Sequence, residues 1–254
     1  MPLIRQAMIQ AAGLGRRLRP LTLDAPKPLL KVGGRKLIDL AIETLTANGV
    51  EKIAINTHYL ADQLTNHLGA YNSPDIRLSF EEKLLDTGGG IKKACETYLR
   101  NDEAVFCLSS DWVWEDGKDN PYFWELARKW NPDKMDILLL LIPVGAIRRT
   151  TVTGDYDVDD NGLAIRSAHQ TGRYMWSSVR IFHPRIFQGT PSGPFSFLEL
   201  MDKAESQGRL FAHCLPDRPC AEWHHISTID DYSAVRAHLK NRTGNARTPQ
   251  AAGA

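Results

Sequence analysis

No stretch of this sequence is apolar for long enough to cross a bilayer. The longest apolar run, Ile137 to Ile147, contains Pro143 and Gly145. It falls short of the roughly 20 residues a spanning helix needs and predicts a buried strand, so no membrane partner is expected. The early apolar residues are broken by Arg5 and Gln6 and soon meet Arg16 and Arg17, so no leader segment is expected either. An excess of charge of one sign is also missing. Thirty-one Lys and Arg face 30 Asp and Glu, for a net charge of +1. No global field therefore gathers nucleic acid, and any anion site has to be local. Cysteine is sparse: Cys95, Cys107, Cys214 and Cys220 stand apart with no CxxC pair. That usage predicts reduced thiols in a cytoplasmic protein. A zinc site from Cys214, Cys220, His224 and His225 would need a spacing that matches none of the familiar zinc patterns.

What is present is a rhythm. Strands are predicted at Ala7 to Ala12, Lys52 to Asn56, Arg77 to Phe80, Ala104 to Leu108 and Asp136 to Leu141. Amphipathic helices fall between them at Leu37 to Ala47, Ala61 to Leu68, Ile91 to Tyr98 and Tyr122 to Trp130. This alternation predicts an α/β fold with a mostly parallel sheet and helices on both faces. After Pro143 the pattern changes. Tyr156 to Val158, Ala164 to Ser167 and Val179 to Phe182 read as antiparallel strands, with Asp160-Asn161-Gly162 as a turn. Helices come next at Phe197 to Gln207 and Ile229 to His238. Residues 241–254 are small and polar and are expected to form a disordered tail. The chain thus reads as one domain over residues 1–240, its first part to about residue 142 and its second from about 143.

In an open α/β sheet, ligands bind beyond the carboxyl ends of the strands, so the residues just after each strand matter most. After the first comes Ala11-Ala12-Gly13-Leu14-Gly15-Arg16-Arg17-Leu18-Arg19-Pro20. Small residues let a ligand approach the backbone, and exposed amides in such a loop bind phosphate. Arg17 could neutralise a polyphosphate with a fork of donors. The loop is not a dinucleotide fingerprint, because Leu18 stands at the third glycine position, and no Walker A sequence occurs. By itself it is equally a tight turn with solvated arginines. Pro26-Lys27-Pro28 comes soon after, a lysine whose backbone is fixed on both sides.

Taken together, Gly13, Gly15, Arg17, Pro20, Thr22, Pro26, Lys27 and Pro28 resemble the opening signature of the sugar-1-phosphate nucleotidyltransferases. The resemblance extends over roughly residues 6–240 and is densest before residue 117. It implies a Rossmann-like nucleotide part and a small antiparallel part that binds the sugar phosphate. It implies as substrates a nucleoside triphosphate and a sugar 1-phosphate. Asp86-Thr87-Gly88-Gly89-Gly90 looks like the family's base-binding loop. It most resembles the N-acetylmuramate-1-phosphate uridylyltransferase branch, as do Asn56 and His58 after the second strand and His183-Pro184 later. The resemblance puts Arg17, Lys27 and Asp111 at the chemistry. It puts Ala11, Ala12, Gly13, Gly15, Asn56, Thr87, Gly88 and Gly89 around the nucleotide.

Three departures accompany the likeness. Ser109-Ser110-Asp111 stands where the family usually has Asn-Gly-Asp, whose aspartate binds Mg²⁺. Trp223-His224-His225-Ile226-Ser227-Thr228 stands where Trp-x-Asp-x-Gly-Thr is common, so His225 replaces the other metal-binding aspartate. Magnesium prefers oxygen ligands and imidazole suits softer metals. Asp111 could hold Mg²⁺ alone, His225 could favour Mn²⁺, or His225 could contact phosphate or sugar. Ser177-Ser178 replaces a Thr-Gly on the sugar side, where Ser177 and Glu199 are candidate contacts. Two other readings remain: a related transferase for mannose or glucose 1-phosphate with another base, and a homologue that binds nucleotide without catalysis.

Overall fold

The computed structural model describes residues 4–114, 121–147, 153–217 and 223–245. Its centre is a nine-stranded sheet. β1 (Gln6–Gln10) pairs in parallel with β4 (Lys52–Thr57) on one side and with β6 (Val105–Ser109) on the other. β5 (Asp75–Phe80) extends the parallel set beyond β4. On the other flank, β11 (Tyr174–Phe182) runs antiparallel to both β6 and β8 (Ile137–Pro143), and β12 (Leu210–Cys214) closes the edge parallel to β8. β9 (Tyr156–Val158) and β10 (Ala164–Arg166) continue the sheet antiparallel from the start of β11.

Alternation along the strands builds two apolar layers. Ala7, Ile9, Ile53, Ile55, Phe106 and Leu108 face one side, under α1 (Leu37–Ala47), α2 (Ala61–Leu68) and α4 (Tyr122–Lys129). Met8, Ala54, Val105 and Cys107 face the other, under α3 (Asp86–Tyr98) and α5 (Phe197–Ser206). β8 is buried along its whole length and contributes to both layers. Truncating a leucine there to alanine removes about 2–5 kcal/mol. No helix among the described residues is long and apolar enough to cross a membrane.

Several elements depart from expectation. α3 begins at Asp86 rather than Ile91, because the glycine triplet forms the first helical turn. β11 starts at Tyr174 rather than Val179 and carries a bulge between Trp176 and Arg180. The last helix, α6 (Ile229–Asn245), runs into the segment expected to be a disordered tail. The remainder of that expected tail, 246–254, lies outside the described residues. Several strands had no sequence signal: β12, the hairpin of β2 (Lys31–Val32) and β3 (Arg35–Lys36), and the pair formed by β7 (Trp112–Trp114) and β13 (Trp223–His225).

β1 and β6 are neighbours, yet the chain leaves β1 towards β4 and returns to β6 from the other flank. That is a topological switch point, where a crevice opens beyond the strand ends. Ala11 and Ser110 stand on its two lips.

Candidate active site

A cleft of about 720 Å³ opens at this switch point. One wall is the loop after β1. Gly15 takes a left-handed φ of 59° ahead of a short helical turn at Arg16–Leu18. Only glycine adopts that conformation freely. The buried Thr22 locks the turn, its hydroxyl donating to the Gly15 carbonyl at 2.8 Å. At Gly13 an added methyl would meet nothing within 4 Å, so packing within the protein does not demand a glycine there. Arg17 lines the cleft from an exposed position.

Lys27 and Asp111 form the floor. The ammonium of Lys27 donates to Asp111 Oδ2 at 2.9 Å. His225 Nε2 reaches the same oxygen at 3.3 Å. A carboxylate only accepts, so that nitrogen carries the proton. The Ser109 hydroxyl donates to Asp111 Oδ1. Burial alone would push the Asp111 carboxyl up; the His225 hydrogen bond and the Lys27 charge outweigh it and hold the group well below the usual carboxylate range. His225 arrives through β13, which pairs with β7 so that His225 faces Trp112. The Ile226 amide then donates to the Asp111 carbonyl at 2.7 Å. Trp112, Trp114, Trp223 and Phe123 pack ring against ring beneath this corner.

Other expected site residues sit differently. Thr87 lines the cleft, but Gly88 and Gly89 are buried behind it. Their amides donate to the Phe195 carbonyl at 2.8 and 3.3 Å, which satisfies two of the free donors of the α3 N-terminus. These glycines serve a protein contact: a methyl on Gly88 would come within 2.4 Å of the Phe195 ring, and one on Gly89 within 2.3 Å of the Gly193 carbonyl. Ser177 is fully buried, with its hydroxyl on the Leu140 carbonyl at 2.7 Å. Glu199 caps α5 by accepting from the Ser196 amide. Neither lines the cleft. Ser178, where the family has glycine, is left-handed with a φ of 66°. Ser227 is held by the Asp231 carboxylate at the start of α6. Cys220 lies outside the described residues, and no group of three His, Cys, Asp or Glu that could hold a metal occurs among them.

The family model described as "Nucleotidyl transferase" matches residues 6–167 of the chain. The chain belongs to the nucleotidyl transferase family. The N-acetylmuramate alpha-1-phosphate uridylyltransferase of Caulobacter vibrioides is 34% identical over 239 residues, 92% of this chain and 96% of that one. The mannose-1-phosphate guanyltransferase of Neurospora crassa is 37% identical over 109 residues, 42% of this chain and 30% of that one. Among solved structures, HddC from Yersinia pseudotuberculosis shares the fold with a TM-score of 0.72 at 22% identity, over 92% of this chain and 99% of that one. As expected from its opening motif, the nucleotidyl transferase chain is a sugar-1-phosphate nucleotidyltransferase.

Two charged residues carry no sequence signal, one lining the cleft and one buried behind Gln10. Glu81 sits in a charged run, Glu81-Glu82-Lys83, that reads as surface, yet it is buried and lines the cleft. Arg180 lies on an apolar strand and is fully buried, its guanidinium 3.9 Å over the Phe197 ring and 3.3 Å from the Gln10 amide oxygen. Burial pulls its pKa down.

Proposed function

We propose that the protein transfers UMP from UTP to N-acetylmuramate 1-phosphate and releases pyrophosphate. One observation carries the chemistry: Lys27, His225 and Asp111 converge at the switch point of the sheet, under a glycine-containing loop that bears Arg17. The end-to-end similarity to a uridylyltransferase of that sugar favours this substrate pair. The setting proposed is the cytoplasm, in cell-wall sugar recycling.

The reaction asks for little covalent help. An oxygen of the sugar 1-phosphate attacks the α-phosphorus, a new P–O bond forms, and the bond to the β-phosphate oxygen breaks in line. A phosphate monoester is already nucleophilic at neutral pH, so no general base is needed. The difficulty is bringing two polyanions together, which cations and positioning solve. In this reading Arg17 steadies the leaving pyrophosphate and Lys27 turns from Asp111 to the reacting phosphates. The loop from Ala11 to Gly15 receives base and ribose.

The donor set suits a divalent cation. Asp111 presents two hard oxygens, and with no group of three ligating side chains gathered there among the described residues, phosphate oxygens and water would complete the shell. Magnesium is usually held in that way. Asp111 would hold the ion, with His225 beside it favouring Mn²⁺ if its imidazole takes part. The ion would supply charge neutralisation at the α-phosphate.

The test is a panel of UTP, GTP, dTTP, CTP and ATP with Mg²⁺ or Mn²⁺ and single sugar 1-phosphates, reading pyrophosphate release. Release with UTP and N-acetylmuramate 1-phosphate together supports the proposal. Selective release with GTP and mannose 1-phosphate overturns the substrate pair. Nucleotide binding without release under any condition overturns the catalytic reading.

A further inference from the structure

Glu81 is 1% exposed, while Phe80, Glu82 and Lys83 beside it are exposed. Among the described residues its carboxylate bonds only to neutral groups. Oε1 accepts from the Asn56 amide at 2.8 Å and Oε2 from the Leu85 backbone amide at 2.9 Å. Burying a carboxylate with no cation against it is costly, and an apolar side chain at this position would avoid that cost. Asn56, itself 4% exposed, accepts from the Ala11 amide at 2.8 Å. The three residues form a chain of hydrogen bonds from the end of β5, past β4, to the loop after β1. Gly90 makes room for it: a methyl there would lie 2.4 Å from Glu81 Oε1 and 2.8 Å from Asn56 Nδ2.

The bonds have a fixed polarity. A carboxylate only accepts, so Asn56 must turn its NH₂ to Glu81 and its carbonyl to Ala11. We infer that Glu81 and Asn56 are positioning residues: together they orient the Ala11 amide and so set the loop that receives the nucleotide. Their effect reaches the substrate through Ala11, a role that rests on the nucleotide site proposed for that loop.

A polarity swap tests it. In Glu81→Gln the single side-chain oxygen cannot accept from both Asn56 and Leu85. In Asn56→Asp two carboxylates face each other. Each should raise KM for UTP about tenfold or more, the scale of leaving a buried polar group unmatched, and raise KM for the sugar phosphate much less. The double variant N56D/E81Q reverses donor and acceptor. The carboxylate then at position 56 accepts from the Ala11 amide and from the side-chain NH₂ at position 81, whose own oxygen accepts from Leu85. It should bring KM for UTP back to within about threefold of the wild type. Single variants with an unchanged KM for UTP, or a double variant no better than the singles, overturn the inference. So does a change in melting temperature that leaves the two KM values moving together. If a single variant fails to fold, the double decides by the same KM, and a double that fails to fold also overturns it. If the wild type binds UTP without turnover, the proposed function falls, and calorimetric UTP affinity across the same variants still decides the relay.

Discussion

Lys27 and Asp111, 84 residues apart in the chain, meet at 2.9 Å on the floor of the cleft. Each neutralises the other where the proposed reaction requires two polyanions to come together. In the proposed reaction, arrival of substrate would be an exchange of partners for Lys27.

Arg17 acts, in its proposed role, on the departing charge. Arg17→Ala should lower turnover at least roughly a hundredfold, the scale of losing one charge-stabilising donor. Pyrophosphate release at saturating substrates measures it, and near-normal turnover would remove Arg17 from the mechanism.

Asp111→Asn should reduce metal-dependent release to background, because the neutral amide has lost the charge that would hold a cation and that pairs with Lys27. Chelation by EDTA should silence the wild type, and Mg²⁺ or Mn²⁺ should restore it. His225→Asp brings a second carboxylate to the corner and should shift preference from Mn²⁺ towards Mg²⁺. An unchanged metal ratio would show that His225 takes no part in holding the ion.

Two glycine variants should separate packing from ligand approach. Gly89→Ala drives a methyl against the Gly193 carbonyl. It should cost about 1–3 kcal/mol, or roughly 2–12 °C in melting temperature for a chain of this size. Gly13→Ala meets only open space, so its melting temperature should hold within about 2 °C, less than 1 kcal/mol for a chain of this size, while KM for UTP rises. A large loss of stability in Gly13→Ala would mean that the loop itself needs the glycine.

Asp136 tests the fold away from the cleft. Its carboxylate accepts from Arg185 at 2.5 Å and from Arg209 at 2.9 Å. Burial pushes its pKa up, but the Arg209 and Arg185 hydrogen bonds outweigh this and hold it below the ordinary value. A depressed carboxyl pKa adds stability above the unfolded value of about 3.9 and loses it as pH falls through the folded value. Asp136→Asn should thus cost roughly 2–3 kcal/mol at pH 7, and its deficit against the wild type should shrink below about pH 4. Urea denaturation at both pH values checks this; a constant deficit would deny the ion pairs their role.

Much of the scaffold was legible because its signals are local. α1 and α2 begin and end where amphipathic period and turn residues place them. The three-residue strands β7 and β13 were not legible, since each is a strand only because the other lies beside it. The glycine triplet resembles the family's base-binding loop. Three glycines report a close approach without saying what approaches, and here Phe195, Gly193 and Glu81 do. Glu81 itself was invisible, because its burial comes from where β5 ends against the loop after β1. The resemblance offers Ser177 and Glu199 as candidate sugar contacts; their side chains bond to the Leu140 carbonyl and the Ser196 amide.

The bond from the Ile226 amide to the Asp111 carbonyl also fixes an order of events. Arg17 and Lys27 leave the ribosome before Asp111. His225 emerges only after 114 further residues, and domains form from the N-terminus first. The central strands can pair while the cleft still lacks one wall. A nascent chain can therefore form the loop after β1 before it can hold Asp111 in its final setting, and any product cut short before β13 is a sheet without a finished cleft wall.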